Sequence, residues 1–148
     1  MEIKWLIKAF EELTLNELYE LLQLRAKVFA VEQNCVYQDL DDKDQKATHV
    51  MGYHVGQMIA YSRLLPQGVS YADVSIGRVV TEPSFRRFGI GKELMKVSID
   101  ACEKCFGTDV IRISAQLYLK AFYEGFSFVA VTEPYMEDHI LHIEMVKS

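Results

Sequence analysis

The sequence predicts a mixed β-sheet with helices on its faces, in the α/β or α+β class. Three observations predict it. Strand–helix–strand patterns occupy the middle of the chain, which requires parallel pairing of the central strands. Pairs of short alternating segments stand towards both ends and read as hairpins, so the sheet edges should be antiparallel. Half of the 148 residues are hydrophobic and a quarter are charged, the composition of a globular chain with a proper core. The length fits one domain spanning residues 1–148.

Taken in order, residues 3–9, "IKWLIKA", alternate and predict a first strand. Thr14 and Glu17 have the spacing of a capping box, with Leu13 and Leu18 placed as a hydrophobic staple. A helix then runs through Leu18, Leu21, Leu22, Arg25 and Phe29, with an apolar inward face. Residues 33–47 read as a loop or short irregular helix and carry the acidic run "DLDDKD". "HVMGYHV" and "QMIAYSRLL", split by Gly56, predict a hairpin that Pro66 and Gly68 end. "DVSIGRVV" predicts a strand buried on both faces. Residues 91–106 repeat apolar positions at three- and four-residue steps, and Gly107 suits the position after a helix. "VIRISA" is a short strand, "QLYLKAFYEGF" a helix of about three turns, and "FVAVTE" and "HILHIEMV" are closing strands.

Composition narrows the function. A formal charge of −5 argues against general nucleic-acid binding. No run of apolar residues is long enough for a transmembrane helix, so no membrane partner is expected. The N-terminus alternates and lacks a signal peptide's apolar block, which predicts a cytoplasmic protein. Cys35, Cys102 and Cys105 are an odd set without a secretion signal and predict no disulfide framework. Cys102 and Cys105 form a lone CxxC late in a helix and read as packing residues on or near its buried face.

Against this acidic background, residues 86–92 read "RRFGIGK", three cations and two glycines between a strand and a helix. A helix N-terminus offers unpaired N–H groups and partial positive charge, where oxyanions bind. Glycines let the backbone approach a phosphate closely, and guanidinium suits a multi-oxygen anion. Two named loops are excluded. Glu93 follows Gly91-Lys92, against GxxxxGK-S/T, and no third glycine completes GxGxxG.

Arg86-Arg87-Phe88-Gly89-Ile90-Gly91 resembles the R/Q-x-x-G-x-G pyrophosphate loop of the GNAT N-acetyltransferase superfamily. "AQLYLKAFYEGFSF" resembles the family's next motif, a helix bearing a tyrosine beside the thioester. "LRAKVFAVEQNCVYQDLDDKD" and "YMEDHILHIEM" look like the ends of its ElaA-like branch. The resemblance covers nearly the whole chain. It implies the acyl-CoA N-acyltransferase fold, a mixed, mostly antiparallel sheet with helices on both faces. It also implies acetyl-CoA as co-substrate and a primary amine of a small molecule or peptide as acceptor.

The same resemblance places the backbone of Val79 and Val80 along the pantetheine arm, and Arg86, Arg87, Phe88, Gly89, Ile90, Gly91 and Lys92 around the pyrophosphate. Gln116 stands where many members have an asparagine and is expected to touch the cofactor. Tyr123 matches the tyrosine that protonates the departing sulfur. A phenol is a fitting donor, being neutral at pH 7. One departure stands out. Ser127-Phe128 occupies the place of the family's Gly-Phe, and serine lacks glycine's freedom at positive φ. The turn out of the last helix is therefore expected to differ and to displace Tyr123 slightly.

The amine must lose a proton before it attacks, because alkylammonium groups are mostly charged at pH 7. Glu32 is the expected base, since "VFAVEQ" should line the acceptor side of such a fold. Glu82, His49, His54 and His142 are the other candidates. The acidic run of Asp39, Asp41, Asp42 and Asp44 reads as a solvated loop, or else as bait for a cationic amine. No HExxH-like spacing occurs, and no metal is expected. Two alternatives keep the fold: a non-catalytic acetyl-CoA-binding module, or an acyltransferase with another donor, like the acyl-homoserine lactone synthases. A homodimer through a C-terminal edge strand is compatible with the pattern.

Overall fold

The computed structural model of the chain describes residues 1–34 and 37–148. Cys35, counted above among the thiols, lies outside the described residues. The elements are β1 (Lys4–Ala9), α1 (Leu15–Arg25), β2 (Thr48–His54), β3 (Gln57–Leu65), β4 (Val74–Thr81), α2 (Ile90–Phe106), β5 (Ile111–Gln116), α3 (Lys120–Glu124), β6 (Val129–Ala130), β7 (Tyr135–Glu137) and β8 (Ile140–Lys147). Among the described residues, eight strands make one sheet in the order β1-β2-β3-β4-β5-β8-β6, with β7 also on β8. The pair β4–β5 is parallel, and every other pair is antiparallel.

Helix α1 begins as its sequence dictates. The Thr14 hydroxyl accepts from Glu17 N at 3.1 Å, and Thr14 N donates to Glu17 Oε1 at 2.9 Å. Past Arg25 the coil widens into a π-helical stretch, Ala26–Glu32, which carries Glu32 out towards the sheet. Helices α1 and α2 cover opposite faces. Leu21, Leu24 and Val28 pack with Met51, Tyr61 and Val80 on one face. Leu94, Met95 and Cys102 pack with Val50, Ile113 and Met145 on the other. Adjacent residues Val50 and Met51 thus serve different cores, as strand alternation requires.

Three expectations need correcting. The predicted 11-residue helix at 116–126 shrinks to a 3-10 turn, Leu117–Leu119, and the short α3. "FVAVTE" keeps only the two strand residues of β6, and β7 follows as a second short strand, so β8 carries both in line. The C-terminal strand is not an edge. β8 has β5 on one side and β6 and β7 on the other, and the exposed edges belong to β1 and to β6 and β7.

The acidic run is neither a solvated loop nor amine bait. Asp39, Asp41 and Asp44 pair with Arg25, Arg63 and Arg78. Arg25 is fully buried, its Nε donating to Asp39 and its Nη1 to Asp44, both at 2.8 Å. Of the four aspartates only Asp42 stays exposed. The network anchors the segment after the π-helical stretch onto β3 and β4. In the CxxC, Cys102 is wholly buried while Cys105 is exposed, so one thiol of the pair packs in the core. Burial, with a small push from Cys105, raises the Cys102 thiol to about 12.

Candidate active site

The site originates in a break in the sheet. Strands β4 and β5 pair at only two positions, Val74 with Ile111 and Ser75 with Arg112. Beyond them the strands diverge, and Ile76–Thr81 have no partner on the β5 side. A bulge adds to the divergence. Tyr61 faces Val80 and Arg63 faces Gly77, so Ser62 of β3 opposes both Arg78 and Val79 of β4. Arg78 adopts the left-handed conformation, φ 50°, and is held by Asp39 and Asp41. Between the strands lies a cleft of about 610 Å³. Val79, Val80, Gln116 and Tyr123 line it, as do Glu32, Arg86 and Gly91.

At one end of the cleft stands the N-terminus of the 17-residue helix α2. Gly89, φ 71°, makes the left-handed turn into it and supplies no side-chain cap, so the first N–H groups stay available. Ile90 is buried in the core, and its side chain anchors the loop while its amide belongs to the helix mouth. At Gly91 a Cβ would meet only Phe122, at an ordinary 3.7 Å. Packing within the protein therefore does not demand glycine there, whereas a ligand against the backbone would. Arg87, Phe88 and Lys92 are exposed and are not among the residues lining the cleft, and the Phe88 ring lies against Phe85 at 6.5 Å.

Two predicted residues hold each other. Arg86 Nη1 and Nη2 each donate to a Glu32 oxygen at 2.7 Å, and Nη2 also reaches Thr81 O at 3.3 Å. With both oxygens engaged by a guanidinium, Glu32 stands as the counter-ion of Arg86. Glu82 is likewise tied, to Lys27 at 2.5 Å. His49 is buried between Tyr61 and the Asp44 carbonyl, and His54 lies away from the cleft beside Glu2. His142 does line the cleft.

Gln116 ends β5 and exchanges amide hydrogen bonds with Gln33, at 3.2 and 3.5 Å. Sequence reasoning missed Gln33 and Arg78. No local pattern marks a bulge or a π-helical turn, although Gln33 directly follows the Glu32 singled out. Tyr123 is buried on α3, with edge-on rings of Phe122 and Phe128 at 5.1 and 6.0 Å. Burial first, and Tyr118 second, push its phenol up to about 12, which keeps it protonated at neutral pH.

The turn after α3 shows how Ser127 fills the glycine position. Phe128 N donates to Tyr123 O at 3.3 Å and Ser127 N to Glu124 O at 3.0 Å, a Schellman turn with Phe128 against Tyr123. Ser127 takes the left-handed position, φ 73°. The turn is made with serine, and strain replaces the glycine.

A parted β4–β5 pair, a bulge beside the gap and an uncapped helix mouth at its end define the acyl-CoA N-acyltransferase class of fold. The chain belongs to the GNAT acetyltransferase family: residues 13–148 match the model for the acetyltransferase (GNAT) domain. It is 38% identical to protein ElaA of Escherichia coli strain K12, over 99% of this chain and 97% of that protein. The crystal structure of Escherichia coli ElaA superposes with a TM-score of 0.93 at 37% identity, covering 99% of this chain and all of that one. An acyl-CoA N-acyltransferase from Pseudomonas aeruginosa superposes at 0.95 with 43% identity, at the same coverage. Among the described residues no helix is long and apolar enough to cross a membrane.

Proposed function

We propose that the protein is an N-acetyltransferase that moves the acetyl group of acetyl-CoA to a primary amine of a small molecule or peptide by direct attack. One observation carries the reading. A single cleft joins an uncapped helix mouth flanked by cations to a buried, neutral phenol, along a strand edge with free ladder groups.

The residues present suit such a donor. The amides at Gly89, Ile90, Gly91 and Lys92, with the charges of Arg86 and Arg87, match a diphosphate, and Phe88 belongs to the same loop. The β5-facing side of β4 at Val79 and Val80, which has no strand partner, matches the amides of a pantetheine arm. Gln116, bridged to Gln33, closes the side of the cleft opposite. When bound, acetyl-CoA supplies the activated acyl carbon. Tyr123 hands a proton to the leaving sulfur, and Glu32 holds Arg86 in reserve for the phosphates. Holding donor and acceptor together removes much of the entropic barrier. A cytoplasmic setting and a homodimer remain part of this reading.

The test is thiol release from acetyl-CoA across polyamines, amino sugars, amino acids and short peptides. We expect turnover with at least one amine. Tyr123→Phe should then lose about 10²-fold or more in kcat with acetyl-CoA affinity unchanged. Tight cofactor binding with no acetylation of any amine would favour a binding module instead.

A further inference from the structure

We propose that His142 is the catalytic base that takes the acceptor's ammonium proton, with Glu137 as the group that stabilises its charged form. This rests on the acetyltransferase reading above and identifies a residue that reading leaves unassigned. Of the five candidate bases in the sequence, only Glu32 and His142 line the cleft, and Glu32 is bound on both oxygens by Arg86.

The geometry of His142 is that of a prepared imidazole. It is 8% exposed, on β8, directly opposite Gln116 of β5 at the cleft wall. Its Nδ1 lies 2.8 Å from the Ile140 carbonyl. A carbonyl only accepts, so Nδ1 carries the hydrogen and the neutral ring keeps its lone pair on Nε2. The Tyr135 ring stacks on the imidazole at 6.3 Å and fixes its plane. Tyr135 is itself fastened, hydroxyl to hydroxyl, to Ser114 of β5. Glu137 Oε2 lies 3.4 Å from Nε2. That carboxylate disfavours nothing but the neutral ring's lone pair, and it forms an ion pair once Nε2 is protonated.

The surrounding charges are those of the β7–β8 hairpin, Glu137 and Asp138, and those of the buried network that also lines the cleft, Asp41, Arg63 and Arg78, together with Lys43. Asp41, Arg63 and Arg78 are matched by ion pairs within the network, and Glu137 is in contact with Nε2.

The proton account closes. The ammonium gives one proton to Nε2. The amine lone pair then forms the C–N bond, and the C–S bonding pair departs on sulfur. The nitrogen's second proton is made good on sulfur through Tyr123, giving an amide, a thiol and an imidazolium that later releases its proton to water.

The test compares wild type, His142→Gln and Glu137→Gln, using acetyl-CoA and the fastest amine of the panel above, with acetyl-CoA affinity measured by calorimetry. Wild-type kcat/KM should rise with pH to a plateau, since a neutral imidazole acts on a protonated amine. His142→Gln should bind acetyl-CoA within about two-fold of wild type and lose roughly 10²- to 10⁴-fold at neutral pH. Its rate should climb about tenfold per pH unit towards the amine's own pKa, with no plateau. Glu137→Gln keeps the imidazole and should shift the wild-type acidic limb to lower pH. A His142→Gln enzyme that binds acetyl-CoA normally and keeps the wild-type rate and plateau overturns the proposal, as does a Glu137→Gln profile unmoved from wild type. Wild type that binds acetyl-CoA and releases no thiol with any amine overturns the parent reading as well, so the two failures are told apart.

Discussion

Arg86 and Glu32 grip each other through two parallel N–H···O bonds of 2.7 Å, across 54 positions of chain, at the mouth of the cleft. A diphosphate arriving at helix α2 competes with this carboxylate for the same guanidinium. Both side chains are about 40% exposed, so the pair is worth roughly 0.2–1 kcal/mol. Glu32→Gln should therefore tighten acetyl-CoA binding by about 1.4- to 5-fold in calorimetry. Arg86→Ala should weaken it and flatten its salt dependence. Looser binding by Glu32→Gln would mean that the carboxylate positions Arg86 for the phosphate instead of competing with it.

The Arg25 network offers a stability test. Arg25→Met keeps the length of the side chain but leaves Asp44 with Arg63 and Asp39 with Arg78 as their remaining partners. Breaking a buried pair outright costs about 3–5 kcal/mol, so with these partners kept the loss should fall near or below the low end of that range. Urea unfolding should show that loss, with the denaturant slope unchanged. The double change Arg25→Met with Asp44→Asn should recover part of it, because the charge that Arg25 shared in balancing is then removed and Arg63 keeps Asp41.

Acid should unfold the protein through the same region. Burial lowers the His49 imidazole below its usual value, with Arg25 and Arg63 adding to the effect against the pull of Asp44. Burial alone would raise the Asp41 carboxyl, but Arg63, the Lys43 amide and Arg78 bring it down to about 2. Asp44 is lowered by Arg25 and Arg63 against the same burial cost. All three groups bind protons more readily unfolded than folded, so each contributes stability that is lost as pH falls. Thermal melts should lose stability first below about pH 6.5 through His49, and more steeply between about pH 4 and pH 2 through the two carboxyls. A melting temperature flat from pH 7 to pH 3 would contradict this.

Ser127→Gly should stabilise. The left-handed conformation costs a residue with a side chain roughly 1 kcal/mol that glycine avoids. The offset is glycine's extra freedom in the unfolded chain, so a net gain of about 0.5 kcal/mol is expected. Because the Schellman turn exists already, kcat should stay within about two-fold of wild type. A drop in stability would show that the serine hydroxyl holds the turn.

Local chemistry made most of the fold legible. Thr14 and Glu17 announced the start of α1, Gly56 its hairpin, and Gly107 the end of α2, because each signal is complete within a few residues. The turn at Gly89 into α2 was readable for the same reason. What the sequence concealed is non-local. The β4 bulge at Arg78 depends on the register between β3 and β4, and the divergence of β4 from β5 depends on which strands become neighbours. The charge pairing of Asp39, Asp41 and Asp44 joins residues up to 39 positions apart, so the acidic run looked solvated. The Glu32–Arg86 pair spans 54 positions, and His142 could not be separated from His49 and His54 until the cleft was known.

The two-residue contact between β4 and β5 also has a mechanical meaning. The sheet is held across its middle by two rungs and by the core packed under α2, and the site lies along that seam. A molecule laid into it replaces the missing rungs, so whatever fills the cleft also sews the two halves together. Occupancy and resistance to unfolding are then one quantity seen from two sides, rising together as RT ln(1 + [L]/Kd).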